Sequence, residues 1–103
     1  MKKVINGKLY NTETATKIAS NCSSGIGMSD FRFFDESLYV TKNKMFFLAG
    51  EGHAMTKWAS DNGNTRSWGE GIKQMSYEKA LKWCEDAEIE PEIIEKYFTI
   101  TEA

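Results

Sequence analysis

The stretch Leu38-Tyr39-Val40-Thr41-Lys42-Asn43-Lys44-Met45-Phe46-Phe47-Leu48 decides the fold. Leu38 and Val40 alternate with Tyr39 and Thr41, the period of two that sends successive side chains to opposite faces of a strand. Lys42-Asn43 interrupts the run, and apolar residues return at Met45 to Leu48. Phe31 and Phe33, alternating with Arg32, extend the pattern upstream. The centre of the chain therefore reads as an antiparallel meander.

Working outward, Val4-Ile5 and Lys8-Leu9-Tyr10 flank Asn6-Gly7. Asn-Gly accepts the two positive φ angles of a type I′ turn, which predicts a hairpin. Thr12 to Ser20 reads as a short helix, because Asn11 or Thr12 can cap its first turn and Glu13 suits a helix N-terminus. Asn21 to Asp30, with Gly25 and Gly27, reads as a loop. Beyond the meander, glycines at 50, 52, 63, 69 and 71 leave space for a helical turn around Ala54 to Ser60 and a short strand at Ile72 to Met75. Ser76 is a good N-cap for a helix from Tyr77 to about Ala87, with Ala80, Leu81, Cys84 and Ala87 as its buried stripe. Pro91 opens a second helix with Ile93, Ile94, Tyr97 and Phe98 as its apolar face. The class is α+β: a small antiparallel β-sheet, a short N-terminal helix, and C-terminal helices packed on the sheet.

A length of 103 residues suits one domain, expected over residues 1–103, with enough buried surface to dispense with disulfide or metal staples. Phe, Tyr and Trp make up 13 % of the chain, so bulky rings fill much of the core. The apolar run at Val4-Ile5 ends after two residues, and neither a signal peptide nor a membrane anchor can be drawn. The expected compartment is the cytoplasm, where Cys22 and Cys84 remain free thiols.

Signatures of chemistry are missing at each station. Gly25-Ile26-Gly27, Gly50-Glu51-Gly52 and Gly69-Glu70-Gly71 lack the third glycine of a dinucleotide loop, and no Gly-Lys-Ser/Thr follows them. They read as turns or bulges. A metal site would have to recruit Cys22, His53 and Cys84, which show no paired spacing. No nucleophile elbow accompanies the single histidine. The expectation is no enzyme, no metal and no cofactor.

Charge is unevenly placed. Residues 76–103 carry eight acids against three bases, a balance of −5, which leaves +3 on residues 1–75 within a total of −2. Glu85, Asp86, Glu88, Glu90, Glu92 and Glu95 surround the junction of the two expected helices. Such a face keeps a domain soluble, or it docks on a basic nucleic-acid channel of another protein. A second feature is the stretch Gly50 to Gly71, where Lys57 and Arg66 interleave with Trp58 and Trp68. Rings and cations together are what single-stranded nucleic acid binding uses, and buried tryptophans under a loop would look the same.

Six segments occur in an ordered series: Ile5-Asn6-Gly7-Lys8, Thr12-Glu13-Thr14-Ala15, Ser29-Asp30-Phe31, Glu36-Ser37-Leu38-Tyr39, Phe47-Leu48-Ala49-Gly50-Glu51-Gly52 and Ser67-Trp68-Gly69. The series resembles a family of small hypothetical proteins from phages, prophages and plasmids of Gram-positive bacteria. The resemblance covers most of residues 4–90 and carries no catalytic residues. It implies an accessory protein of a mobile element, of the kind that includes anti-CRISPR proteins. The expected function is non-enzymatic inhibition of a host defence effector, first a Cas9-type nuclease, in the bacterial cytoplasm. The six acids from Glu85 to Glu95 are the expected contact set. The alternative is a single-stranded nucleic-acid-binding module using Lys57, Trp58, Arg66 and Trp68.

Overall fold

A computed structural model describes all residues from 1 to 103. Its centre is a four-stranded antiparallel sheet, ordered β3 (Thr16–Cys22), β4 (Phe34–Val40), β5 (Phe46–Gly52) and β8 (Gly69–Met75). The meander is there, with β4 and β5 in register from Phe34 opposite Gly52 to Val40 opposite Phe46. A hairpin of β1 (Lys2–Ile5) and β2 (Lys8–Asn11) precedes the sheet. Its turn has Asn6 at φ 52° and Gly7 at φ 76°, the type I′ geometry that Asn-Gly specifies. Two-residue strands β6 (Ser60–Asp61) and β7 (Arg66–Ser67) pair within the loop between β5 and β8.

The sheet is covered on both faces. Leu38, Val40, Phe46 and Leu48 meet Trp58 and helix residues Ala80, Trp83 and Cys84 on one face. On the other, Phe47, Ala49 and Ile72 pack with Tyr10 of the hairpin. This double cover explains why six of the seven residues of β5 are buried and why its sequence runs apolar instead of alternating. Burying a side chain such as Phe47 or Leu38 contributes roughly 1.5–3 kcal/mol each.

Helix α1 spans Tyr77–Asp86, and the Ser76 side chain accepts from the Lys79 N–H as a cap. Its buried stripe is Ala80, Trp83 and Cys84, while Leu81 and Ala87 are only half-buried. The chain leaves α1 through a left-handed residue, Glu88 at φ 56°. The Glu88 and Ile89 N–H groups then donate to the carbonyls of Glu85 and Cys84, closing a Schellman motif. Pro91 is the first residue of α2 (Pro91–Tyr97), and Phe98 just beyond it is 5 % exposed.

The expected N-terminal helix is absent. Asn11 does cap a turn, accepting the Glu13 N–H at its Oδ1 and the Ala15 N–H at its carbonyl, but the turn is not propagated. Residues 16–22 form β3 instead, because strand pairing satisfies every second backbone group while also burying Ile18. A bulge between Lys17 and Ala19 lets both Ile18 and Ala19 pack on the helix-side core. The strand also takes Asn21 and Cys22 out of the expected loop. Phe31 and Arg32 lie in a turn ahead of β4, and 54–58 forms successive turns, not a helical one. The expected strand at Ile72 begins three residues earlier, at Gly69.

Candidate functional site

The alternation of β4 places Phe34, Glu36, Leu38 and Val40 on the helix-covered face. Glu36 is thus a carboxylate at a core position, 3 % exposed. It survives there because its lone pairs are filled. Trp58 Nε1 donates to Oε1 at 2.9 Å, and Trp83 Nε1 to Oε2 at 2.6 Å. The Lys57 ammonium sits 3.1 Å from either oxygen. Strand, loop and helix meet at this one group. An unpaired buried charge would be prohibitive, and two indole N–H groups plus a cation make it tolerable.

Of the three glycine pairs, Gly25 and Gly27 lie in a loop as expected, whereas Gly50/Gly52 and Gly69/Gly71 lie in β5 and β8 and belong to this arrangement. Gly50 lies opposite Glu36 on one side and Gly71 on the other, and Gly52 lies opposite Gly69. Together they clear side chains from the sheet where the 53–58 loop lies down. A Cβ on Gly50 would come within 2.7 Å of Glu36 Cβ and 2.8 Å of the Trp58 ring, and one on Gly69 would strike the Trp58 carbonyl.

The Trp-rich loop is organised inward, in the manner of buried tryptophans under a loop, and the alternative contact set Lys57, Trp58, Arg66 and Trp68 has Trp58 in the core. Trp58 is 5 % exposed and its N–H is spent on Glu36. Trp68 is half-buried, stacked on Phe33 with ring centroids 5.8 Å apart. Lys57 is exposed along its stem but bound to Glu36, and Arg66 donates to the Thr56 carbonyl at 3.2 Å. Sequence reasoning missed the role of Glu36; the signal was a carboxylate in phase with Leu38 and Val40 on an alternating strand.

Cys22 is exposed at the end of β3, Cys84 is buried in α1, and His53 accepts the Ala54 N–H at Nδ1. No three His, Cys, Asp or Glu side chains are arranged to hold a metal ion. Burial pushes the Cys84 thiol up to about 11, with the Glu85 charge adding to the effect. Near the start of β4, the Arg32 side chain and backbone hydrogen bonds hold Asp30 down at about 2.

The six acids at the helix junction are all exposed. Glu85 and Asp86 occupy the last turn of α1, Glu88 the left-handed position after it, and Glu90 the N-cap of α2. Glu92 and Glu95 follow on α2. Asp86 is paired with Lys82 at 2.8 Å. Between Glu85 and Glu95 lies a shallow apolar groove of about 170 Å³, lined by Leu81, Pro91, Ile94 and Ile100. No helix is long and apolar enough to cross a membrane. No protein-family model, curated protein or solved structure matches the chain.

Proposed function

We propose that this chain is a non-enzymatic binding protein that docks its α1–α2 corner on a basic, nucleic-acid-holding surface of another protein and blocks access to it. The observation that carries the reading is the placing of Glu85, Asp86 and Glu88. Acids at a helix C-terminus oppose the macrodipole, at roughly 0.3–1 kcal/mol each. The last turn of α1 holds two of them and no base. Glu90 and Glu92, at the start of α2, sit where the dipole favours them, so the fold itself explains those two. Asp86 has a partner one turn back in Lys82, and the fold offers no such account of Glu85 and Glu88. Residues that work against their own helix serve something outside it.

In the setting implied by the resemblance, the partner is a host defence effector in the bacterial cytoplasm, first a Cas9-type nuclease, whose nucleic acids lie in positively charged channels. An acidic corner with an apolar groove complements such a channel in both charge and contact. Copurification with tagged protein from a host carrying an intact CRISPR system is the direct test. The triple variant Glu85→Lys, Asp86→Lys, Glu88→Lys is expected to associate about tenfold more slowly at low salt and to inhibit poorly. Full inhibition by that variant would remove the proposal.

A further inference from the structure

A cleft of about 380 Å³ opens between the 55–58 turn and the end of α1. Its buried lining includes Glu36, Trp58 and Trp83, and its exposed lining includes Met55, Lys57 and Asp86. We propose that this cleft takes a basic side chain, arginine or lysine, of the partner, which displaces Lys57 from Glu36. The identity of the donor rests on the reading of a basic partner surface given above; the recognition chemistry does not.

That chemistry is already exercised inside the molecule. The Glu36 carboxylate, oriented by two indole N–H groups, holds an ammonium at 3.1 Å. The cation comes on a flexible stem that is 47 % exposed, so it can swing out to water while an incoming cation takes its place. The walls suit a cation as well. Trp58 and Trp83 line the cleft, and indole rings attract ammonium and guanidinium groups alike, as the Lys73 ammonium, outside the cleft lining, shows at 5.5 Å from the Trp58 ring centroid.

The charge count selects for a base. With Lys57 displaced, Arg32 is the one base left in the lining, and its charge is held by Asp30 at 2.8 Å, while Asp86 is held by Lys82 at 2.8 Å, so Glu36 is the carboxylate left without a cation. A neutral or acidic side chain in that position would leave the buried carboxylate without a cation. Asp86 is also part of the acidic corner, so the cleft and the corner form one continuous surface, with a pocket that an arginine anchor fills.

The test is a titration of the full chain with n-propylguanidinium, read at the indole N–H resonances of Trp58 and Trp83 by NMR. The neutral isostere n-propylurea is the control. Saturable shifts are expected with the guanidinium and none with the urea. Lys57→Met, which keeps the stem and removes the competing charge, is expected to tighten the probe about two- to fivefold, the worth of a half-exposed ion pair. Glu36→Gln, where it folds, is expected to lose the response; where it does not, the comparison of wild type with Lys57→Met decides. Equal shifts from both probes, or no saturable shift in either protein, would overturn the inference. Because no partner is present, a saturating probe combined with full activity of the charge-reversed protein would keep the cleft and discard the acidic-corner reading.

Discussion

Glu36 is the residue on which the helix-side core turns. Its removal leaves two buried indole N–H groups without acceptors, each at roughly 1–3 kcal/mol. Glu36→Ala is therefore expected to cost about 3–5 kcal/mol in urea unfolding, a large share of the roughly 5–15 kcal/mol typical of a domain. A loss under about 1 kcal/mol would mean that the network does not hold the 53–58 loop. Cys84 offers a second measurement at the same scale. With its thiol buried and raised to about 11, only Cys22 should react with a thiol reagent in the native protein, and both should react after denaturation. The pH effect has a definite sign. The unfolded thiol ionises near 9, so the stability due to a neutral Cys84 is complete below that pH and is lost as pH rises from about 9 to 11. Two thiols reacting at equal rates in the native state would contradict the buried placement.

Among the elements, α1 and its exit show local rules being kept and broken between Ser76 and Glu88. Ser76 caps as its type prescribes, and Cys84 lies on the buried stripe as its spacing prescribes. The exit uses a Schellman turn whose left-handed position is normally glycine, yet Glu88 occupies it at φ 56°. Glu88→Gly is expected to stabilise the fold by about 0.5–1 kcal/mol, relief of left-handed strain outweighing the added freedom of the unfolded chain. Thermal unfolding reads this directly. The same variant should weaken partner binding if the Glu88 charge is used, a combination that strain alone does not produce. On β3 the error of the helix expectation has a specific cause. Asn11 and Glu13 are cap signals, and Asn11 does cap a turn, but a cap alone does not propagate a helix, and the bulge that lets residues 16–22 pair with β4 has no reliable mark in the sequence.

For the whole molecule, six of the acids in residues 76–103 gather at one corner because the Schellman turn at Glu88 joins the end of α1 directly to the start of α2. The charge-reversed triple variant should melt close to the wild type, since Lys at the end of α1 favours the dipole that the acids oppose and offsets the lost, exposed Lys82–Asp86 pair. Its binding defect should shrink as salt rises, because exposed charges are screened beyond roughly 10 Å at 0.1 M. A lowered melting temperature with salt-independent binding would point to structural acids. The loop reading would require the opposite pattern, but Trp58 is committed to the core, so Trp58→Ala tests folding before it tests contact.

Much was legible in the chain itself, and for one reason: those features depend on neighbours in sequence. The type I′ turn follows from Asn6-Gly7, the meander from the alternation around Leu38 and the apolar run around Phe46, the cap from Ser76, the start of α2 from Pro91. The uneven charge was equally plain, being a count. The Glu36 network is different in kind. It brings together residues 22 and 47 positions apart along the chain, and the glycines that make space for it resemble turn residues until the sheet register sets Gly50 beside Gly71. Register, the bulge at Ile18 and the inward commitment of Trp58 come from packing among distant segments, where burial and the filling of each polar group outweigh local preference.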